Sequence, residues 1–219
     1  MSLQGVIFDH DGTLVDSERF HYDIWQQLMQ SHHIHFSEQD YIAHCSGVPS
    51  IENARFIVNK YDIDLEPNAL CQAKEALCAK YFDQHETILL PYVQQTIEQC
   101  HKLGLRLAVA TGAPRTTVQK SISKRDFFPL FSCVATSDDV VHNKPAADVY
   151  LLALSSLMLK ADECIAIEDS PTGIAAAKAA KLRCIAVQNH YSRQQDLSAA
   201  DYIVDDLSQA YSIIESLIG

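Results

Sequence analysis

Acidic, hydroxyl and amino side chains follow the short apolar runs of this 219-residue sequence. Six of them could do chemistry together: Asp9, Asp11, Thr111, Lys144, Glu168 and Asp169. The carboxyl ends of the strands form the ligand-binding edge of an open α/β sheet. If the apolar runs are parallel strands, these side chains meet in one crevice. Carboxylates and a lysine around a glycine-rich turn are suited to stabilise a phosphoryl group during transfer.

The same group of residues predicts a bound cation. Two carboxylates about 4 Å apart repel each other by about 4 kcal/mol at an effective dielectric constant near 20. Lys144 alone does not balance four carboxylates, so a divalent cation is expected among them. The ligands on offer are oxygen atoms, which favours Mg²⁺ over zinc or copper.

The apolar runs alternate with helical patterns along most of the chain, which predicts an α/β fold with a doubly wound parallel sheet. The predicted strands are residues 6–8, 105–110, 133–136, 164–167, 184–187 and 202–204. Proline and glycine mark the ends of several predicted helices. These helices are residues 92–103, a segment from 114, 146–157, 171–181 and 208 to the end.

Residues 16–89 interrupt this alternation. They contain no strand pattern, only helical patterns near residues 18–31, 37–45, 51–61 and 67–84. About 70 residues are enough for a small domain. We therefore predict a catalytic core of residues 1–15 and 90–219 with an inserted helical domain of residues 16–89. The linkers near Val15-Asp16 and residues 89–91 are expected to act as hinges over a cleft between the two domains.

The composition excludes several classes of protein. Lys and Arg total 17 against 28 Asp and Glu, a formal net charge of −11. A basic surface is needed to bind a nucleic acid or an anionic membrane, so we expect neither partner. No apolar run approaches the ~20 residues of a membrane span, and no signal-peptide pattern is present, so we expect a cytoplasmic protein. We also expect a monomer. Seven cysteines without a C-x-x-C motif indicate reduced thiols.

Four segments carry a resemblance to a known family. FDHDGTLVDSE (8–18), ATG (110–112), NKPAADVY (143–150) and IEDSPTG (167–173) resemble, in this order, the four motifs of the haloacid dehalogenase superfamily. The helical insertion stands where that family carries its α-helical cap, and the likeness extends to the β-phosphoglucomutase-like subfamily. The resemblance covers the whole chain and implies a Rossmann-like core with an inserted cap.

The resemblance implies covalent catalysis. Asp9 would be the nucleophile, forming an aspartyl-phosphate. Asp11 would protonate the leaving alcohol and deprotonate the attacking water, while its backbone carbonyl would bind the metal. For the acid role we expect burial under the cap to raise the pKa of Asp11.

The remaining motif residues would hold the phosphate and the metal. Thr111 and the amide of Gly112 would bind phosphate oxygens, and Lys144 would neutralise the nucleophile and the transferring group. Asp169 would ligate Mg²⁺, with Glu168 as a direct or water-mediated ligand.

Three functions remain open at this point. The first is a Mg²⁺-dependent phosphatase of a small phosphorylated metabolite, such as a sugar or nucleoside phosphate. The second is a sugar-phosphate mutase like β-phosphoglucomutase. The third is a signalling receiver domain, which also surrounds an aspartate with acidic residues, Thr and Lys. Its acceptor aspartate follows the third strand, whereas Asp9 follows the first, so we expect an enzyme.

Residues of the inserted segment are expected to contact the substrate, because cap domains determine specificity in this family. The candidates are His21, Gly47, Val48 and Ser50. His21 resembles a cap histidine of the mutases, which by itself favours a mutase. We expect it to hydrogen-bond a substrate hydroxyl.

Two departures from the mutases favour hydrolysis. The mutases carry an arginine after the glycine turn, where this chain has Pro49-Ser50. Leu77 stands near the expected place of their cap lysine, and we expect Lys74 and Lys80 on either side of it to be solvated. A second substrate phosphate would then lack a cationic partner. Trp25 is expected to pack inside the inserted domain, and Ser50 is equally a candidate helix N-cap.

Overall fold

The computed structural model describes residues 2–218, which form one six-stranded parallel sheet flanked by helices, with an additional helical segment after the first strand. The strands are β1 (Gly5–Phe8), β2 (Arg106–Ala110), β3 (Phe131–Ala135), β4 (Cys164–Glu168), β5 (Arg183–Val187) and β6 (Tyr202–Val204). Their order is β3-β2-β1-β4-β5-β6, the doubly wound order of Rossmann-like sheets. The predicted fold class is confirmed.

Both faces of the sheet are covered, which explains why the central strands are apolar along their whole length. The helices after the inserted segment are α5 (Val93–Lys102), α6 (Arg115–Ile122), α7 (Asp148–Leu157), α8 (Pro171–Ala179) and α9 (Leu207–Ser216). Alternate residues of β1 point to opposite faces. Val6 and Phe8 pack in the cluster with α5, α6 and α9, whereas Ile7 packs in the cluster with α7 and α8.

The helical insert, as we call residues 16–89, contains α1 (Glu18–Gln30), α2 (Glu38–His44), α3 (Ser50–Tyr61) and α4 (Pro67–Gln84). These helices surround their own apolar cluster, in which Trp25 is fully buried, as predicted. The two linkers lie side by side: the amide of Asp16 donates to the carbonyl of Ile88 at 2.9 Å and that of Leu90 to Leu14 at 3.1 Å. No strand of the sheet falls in the insert among the residues that the structure describes. The division into two domains stays a prediction.

The observed elements differ from the predicted ones mainly at their ends. β3 begins at Phe131, two residues earlier than predicted, and α8 ends at Ala179, two residues earlier. α7 begins at Asp148 rather than 146, because the chain first makes a turn in which the amide of Ala146 donates to Asn143. Within residues 2–218, no helix has the length and apolar character to cross a membrane. The cytoplasmic location and the monomeric state stay predictions.

Candidate active site

A cavity of about 280 Å³ lies between the carboxyl ends of the strands and the helical insert. The predicted site residues that line it from the sheet side are Asp9, Asp11, Thr111, Gly112, Lys144 and Asp169, and those from the insert are His21, Gly47, Val48 and Ser50. The topology explains the first set. β1 is hydrogen-bonded to β2 on one side and to β4 on the other, so residues at the ends of these strands become neighbours. The structure therefore brings the predicted residues together.

The floor of the cavity is a buried ion-pair arrangement. Lys144 Nζ donates to Asp9 Oδ1 and to Glu168 Oε1, at 2.6 Å in each case. The hydroxyl of Tyr150 also donates to Glu168 Oε1 at 2.6 Å, and the ring of Tyr150 lies beneath the ammonium at 5.0 Å. Asn143 fixes the start of the Lys144 loop, since its Oδ1 accepts from the Lys144 amide and its Nδ2 donates to the carbonyl of Gly112.

Three carboxylates lie together here, and the ammonium of Lys144 pairs with two of them, Asp9 and Glu168. Oxygen atoms of Asp9, Glu168 and Asp169 lie within 4.8 Å of one another, and all three residues are buried. This donor set is all oxygen and carries more negative charge than Lys144 neutralises, which fits a Mg²⁺ ion. The side chain of Asp11 is not part of this group. The predicted contact of its backbone carbonyl with the metal stays a prediction.

The crowding shifts the pKa values of the group. Burial and the neighbouring Glu168 raise the pKa of Asp9 to about 7, against the opposing effect of Lys144. Burial and the charge of Asp9 raise the pKa of Asp169 well above its usual range. Burial lowers the pKa of Lys144, but the two carboxylates outweigh it and raise the value above normal. Lys144 therefore remains charged, while Asp9 and Asp169 favour a proton or a cation.

Glycines allow the carboxylates to lie against the backbone. A Cβ on Gly173 in α8 would stand 1.9 Å from Glu168 Oε2, and one on Gly12, at φ +74°, would stand 2.0 Å from Asp169 Oδ2. Any side chain at either position would displace a carboxylate. Glycine is therefore required at position 12, both because the backbone has a positive φ there and because Asp169 approaches it closely.

Asp11 accepts hydrogen bonds from the start of the insert. Ser17 Oγ donates to Asp11 Oδ1 at 2.6 Å, and His21 Nε2 lies 3.3 Å from the same oxygen. His10 Nδ1 lies 3.2 Å from Oδ2. The expected rise in the pKa of Asp11 is wrong: burial raises it, but His10 and His21 outweigh burial and place the pKa well below its usual range.

His21 is shifted in the opposite direction. Burial and the charge of Lys74 lower its pKa, but the bonds to Asp11 and Cys78 outweigh them and raise it to about 9. Near neutral pH, the carboxyl of Asp11 is therefore ionised and the imidazole of His21 is protonated.

The phosphate-binding candidates lie beside Asp9. Thr111 is buried directly after β2, where its Oγ1 accepts from the amide of Ala113 at 3.0 Å. Thr111 is not the N-cap of α6, since the residue in that position is Pro114. Both Thr111 and Gly112 face the cavity.

The turn of the insert rests on the sheet region. Gly47 has φ +69°, and a Cβ on it would stand 2.3 Å from the Cβ of Ser170. Ser50 is the first residue of α3 rather than its N-cap, which is Pro49. Its hydroxyl instead accepts from Lys74 Nζ at 2.9 Å.

The expectation that Lys74 is solvated is wrong. Its side chain is buried and lines the cavity, with its ammonium paired to Ser50 and, more distantly, to Glu75 at 3.4 Å. Lys80 is exposed, as expected. The cavity thus has a second cation on the side of the insert, at a position that we expected to be solvated.

Some functional residues were not identified from the sequence. Asn143 and Tyr150 lie in the same motif as Lys144, but nothing in their type signalled a contact. Asn189 donates from Nδ2 to Asp169 Oδ2 at 2.7 Å. It stands two residues after β5, so the search of strand ends could have found it. Tyr41 contacts the cavity residue Glu18 across 23 positions of the chain, with no local signal.

Known proteins resemble this chain over most of its length. A family model described as haloacid dehalogenase-like hydrolase matches residues 6–187. The protein CbbY of Rhodobacter capsulatus is 34% identical over 218 residues, covering 96% of each chain. The fructose-1-phosphate phosphatase YqaB of Escherichia coli K12 is 32% identical over 186 residues, covering 84% of this chain and 96% of that one.

A solved structure agrees with the fold. CbbY of Rhodobacter sphaeroides, determined with phosphate and, as a mutant, with xylulose 1,5-bisphosphate, superposes with a TM-score of 0.79 at 25% identity. The superposition covers 94% of this chain and 96% of that one.

The raised pKa of Asp9 predicts a pH-dependent stability of the metal-free protein. Between pH 3.8 and about 7 the native state holds a proton on Asp9 that the unfolded chain has released. The free energy of unfolding therefore falls as the pH rises through this window, by about 4 kcal/mol for a pKa shift of this size. Asp9→Asn should flatten the decline, measured by urea unfolding in EDTA at several pH values. Equal slopes for the two proteins would contradict the raised pKa.

Proposed function

The chain belongs to the haloacid dehalogenase-like hydrolase family, and on that premise we propose that it is a Mg²⁺-dependent phosphatase of small sugar phosphates that acts through an aspartyl-phosphate at Asp9. The observation that carries the proposal is the buried ion-pair arrangement of Asp9, Lys144 and Glu168 at the floor of the cavity. We also propose that residues 16–89 act as a cap that closes this cavity.

Asp9 and Lys144 would carry the first step. A carboxylate oxygen of Asp9 attacks the phosphorus, and the bond between phosphorus and the leaving alcohol oxygen breaks. Lys144 Nζ, 2.6 Å from Asp9 Oδ1, then neutralises charge on the transferring oxygens. Thr111 and the amide of Gly112 would hold the other phosphate oxygens.

Proton transfer would use Asp11 together with His21. The pKa of His21, raised to about 9, keeps a proton on this pair near neutral pH. The pair would supply this proton to the leaving alkoxide. Asp11 would then accept a proton from the water that attacks the aspartyl-phosphate, releasing phosphate and restoring Asp9.

Asp9, Asp169, the backbone carbonyl of Asp11, and Glu168 directly or through water, would hold Mg²⁺. When bound, the ion would neutralise negative charge on the phosphate as it transfers. The excess of buried carboxylates over ammonium groups supports this assignment.

The cavity supports a small polyhydroxylated substrate. A volume of about 280 Å³ suits a metabolite rather than a macromolecule. Two buried atoms of insert residues that line the cavity, Trp25 Nε1 and Asn53 Oδ1, lack a protein hydrogen-bond partner within the described residues. Sugar hydroxyls would satisfy them. The relatives named above include a fructose-1-phosphate phosphatase and a protein crystallised with xylulose 1,5-bisphosphate.

A sugar-phosphate mutase is the second candidate, and the position of Lys74 favours it. A mutase must bind a second phosphate at the end of the cavity opposite Asp9, and the buried ammonium of Lys74 could pair with it. No arginine accompanies Lys74 after the Gly47 turn, where this chain has Pro49-Ser50. A single ammonium favours a monophosphate over a bisphosphate, so we retain hydrolysis as the main activity.

Asp9→Asn should abolish hydrolysis, by roughly three orders of magnitude or more, because it removes the nucleophile and a metal ligand together. Phosphate release from a panel of sugar phosphates measures the effect, and circular dichroism checks the fold. Asp64→Asn, at an exposed bend of the insert, is the matched control and should retain full activity. Wild-type rates for Asp9→Asn would refute the mechanism.

Removal of divalent cations should stop the reaction. Without the ion, the negative charge of the three buried carboxylates repels an anionic phosphate. Dialysis against EDTA should reduce phosphate release to background, and Mg²⁺ should restore it. Full activity in metal-free buffer would contradict the proposed role of the cluster.

Product analysis distinguishes phosphatase from mutase. With β-glucose 1-phosphate and a trace of the 1,6-bisphosphate, we expect free phosphate to form faster than glucose 6-phosphate, because a single cation faces the second phosphate. Both products can be followed by phosphorus NMR. Rapid formation of glucose 6-phosphate, faster than phosphate release from every monoester tested, would replace the phosphatase with the mutase.

A further inference from the structure

The segment after β5, residues 188–195, connects the proposed metal site to the helical insert; we call it the β5 loop. Asn189 contacts the site directly. Its Nδ2 donates to Asp169 Oδ2 at 2.7 Å and to the carbonyl of Gly12 at 3.2 Å. Among the described residues, Asn189 provides the only side-chain hydrogen bond to the Asp169 carboxylate. Its position therefore sets the direction in which that carboxylate points.

The side-chain amide of Asn189 is itself held in one orientation. Its Oδ1 accepts from the backbone amides of Tyr191 at 2.8 Å and Ser192 at 2.9 Å. The backbone amide of Asn189 in turn donates to Ser192 Oγ at 2.9 Å. Exchange of the oxygen and nitrogen of this side chain would break all its contacts. Asn189 therefore moves only when the β5 loop moves.

The β5 loop is anchored to the end of β6, where the amide of Gln188 donates to the carbonyl of Val204 at 2.8 Å, and it also packs into the insert. Tyr191 is buried in the apolar cluster of the insert, with its ring edge-on to Tyr41 at 5.8 Å. Its hydroxyl donates to Glu38 at 3.0 Å. Gln195 Nε2 donates to the carbonyls of Ile42 and Ser46, at 3.1 Å each. A loop that follows a sheet strand thus completes the core of the inserted segment.

The same contacts reach the cavity wall. The hydroxyl of Tyr41, the residue against which Tyr191 packs, donates to Glu18 Oε2 at 2.7 Å, and Glu18 lines the cavity. Ser46, held by Gln195, immediately precedes Gly47, which rests on Ser170 next to Asp169. A displacement of the insert would therefore shift the β5 loop and the cavity wall together.

We propose that Asn189 is a positioning residue for the metal ligand Asp169, and that Tyr191 and Gln195 link its position to the seating of the insert. With the insert seated, Asn189 points Asp169 towards Asp9 and Glu168. When the insert lifts, the β5 loop follows it and Asp169 loses this partner. Mg²⁺ and a ligand in the cavity should therefore strengthen each other's binding. The proposal rests on the proposed function in that it takes Asp169 as a metal ligand.

Calorimetric titration of the whole protein with Mg²⁺, alone and with inorganic phosphate, tests the proposal without relying on activity. Loss of an outer partner of a metal ligand typically weakens binding roughly 10–100-fold, and we expect this for Asn189→Ala. Tyr191 and Gln195 contact no proposed metal ligand. Each alanine variant should nevertheless weaken Mg²⁺ binding roughly threefold or more and reduce the increase in Mg²⁺ affinity that phosphate causes. Tyr191→Phe, which keeps the ring, should bind nearly as the wild type.

Lys120→Ala is the matched control. Lys120 on α6 bridges to the insert through Asp83 at 2.6 Å and the carbonyl of Ala79 at 3.2 Å, away from the β5 loop. Lys120→Ala should leave Mg²⁺ affinity unchanged. A loss of affinity as large as that in Tyr191→Ala or Gln195→Ala would mean that any loosening of the insert weakens Mg²⁺ binding, and it would overturn the proposed link through the β5 loop. Near-ultraviolet circular dichroism in EDTA checks folding, and Gln195→Ala carries the test if Tyr191→Ala does not fold.

The outcomes separate the two proposals. If the wild type does not bind Mg²⁺, the proposed function loses its cofactor and this inference falls with it. If the wild type binds Mg²⁺ and Asn189→Ala binds it equally well, the inference alone is overturned. If Asn189→Ala weakens binding while Tyr191→Ala and Gln195→Ala do not, Asn189 positions Asp169 but the link to the insert is refuted.

Discussion

Three buried carboxylates lie together at the carboxyl end of the sheet, where the ammonium of Lys144 pairs with two of them, and much of the surrounding structure accommodates this excess of charge. Lys144 contacts Asp9 and Glu168, and the hydroxyl of Tyr150 stabilises Glu168 as well. Within residues 2–218, the one side-chain hydrogen bond to the Asp169 carboxylate comes from the amide of Asn189. Burial of charge without full pairing is costly. The cluster is therefore in a state that a cation or a proton stabilises.

The topology of the sheet makes this concentration of charge possible. Neighbouring strands lie about 4.8 Å apart, so the ends of β1, β2 and β4 bring Asp9, Thr111 and Glu168 within reach of one another. Lys144 comes from beyond β3, two strands away from β1, and reaches the cluster from the loop that Asn143 fixes. The insert then covers the cluster and adds Ser17 and His21 to Asp11, so the proposed acid–base group is complete only where both parts of the chain meet.

The fold and the sheet side of the site could be predicted because both follow from local patterns. Apolar runs gave the strands, and the rule that ligands bind at strand ends identified Asp9, Thr111 and Glu168. Lys74 was predicted incorrectly, although the signal was present: it stands four residues after Leu70 and four before Cys78, on the buried face of α4. The pKa of Asp11 depends on His10 and His21, and the role of Asn189 depends on how its loop packs. Neither can be derived from spacing, since both arise from contacts between separate segments.

The central claim is that Asp9 accepts the phosphoryl group, and the most direct measurement is to trap it there. The enzyme is mixed with Mg²⁺ and a substrate that it hydrolyses, quenched in acid within milliseconds, digested and analysed by mass spectrometry. The account predicts that the peptide containing Asp9 gains the mass of one phosphoryl group during turnover, with fragmentation placing it on Asp9. Turnover with this peptide unmodified at every quench time, or with the phosphoryl group on another residue, would contradict the account.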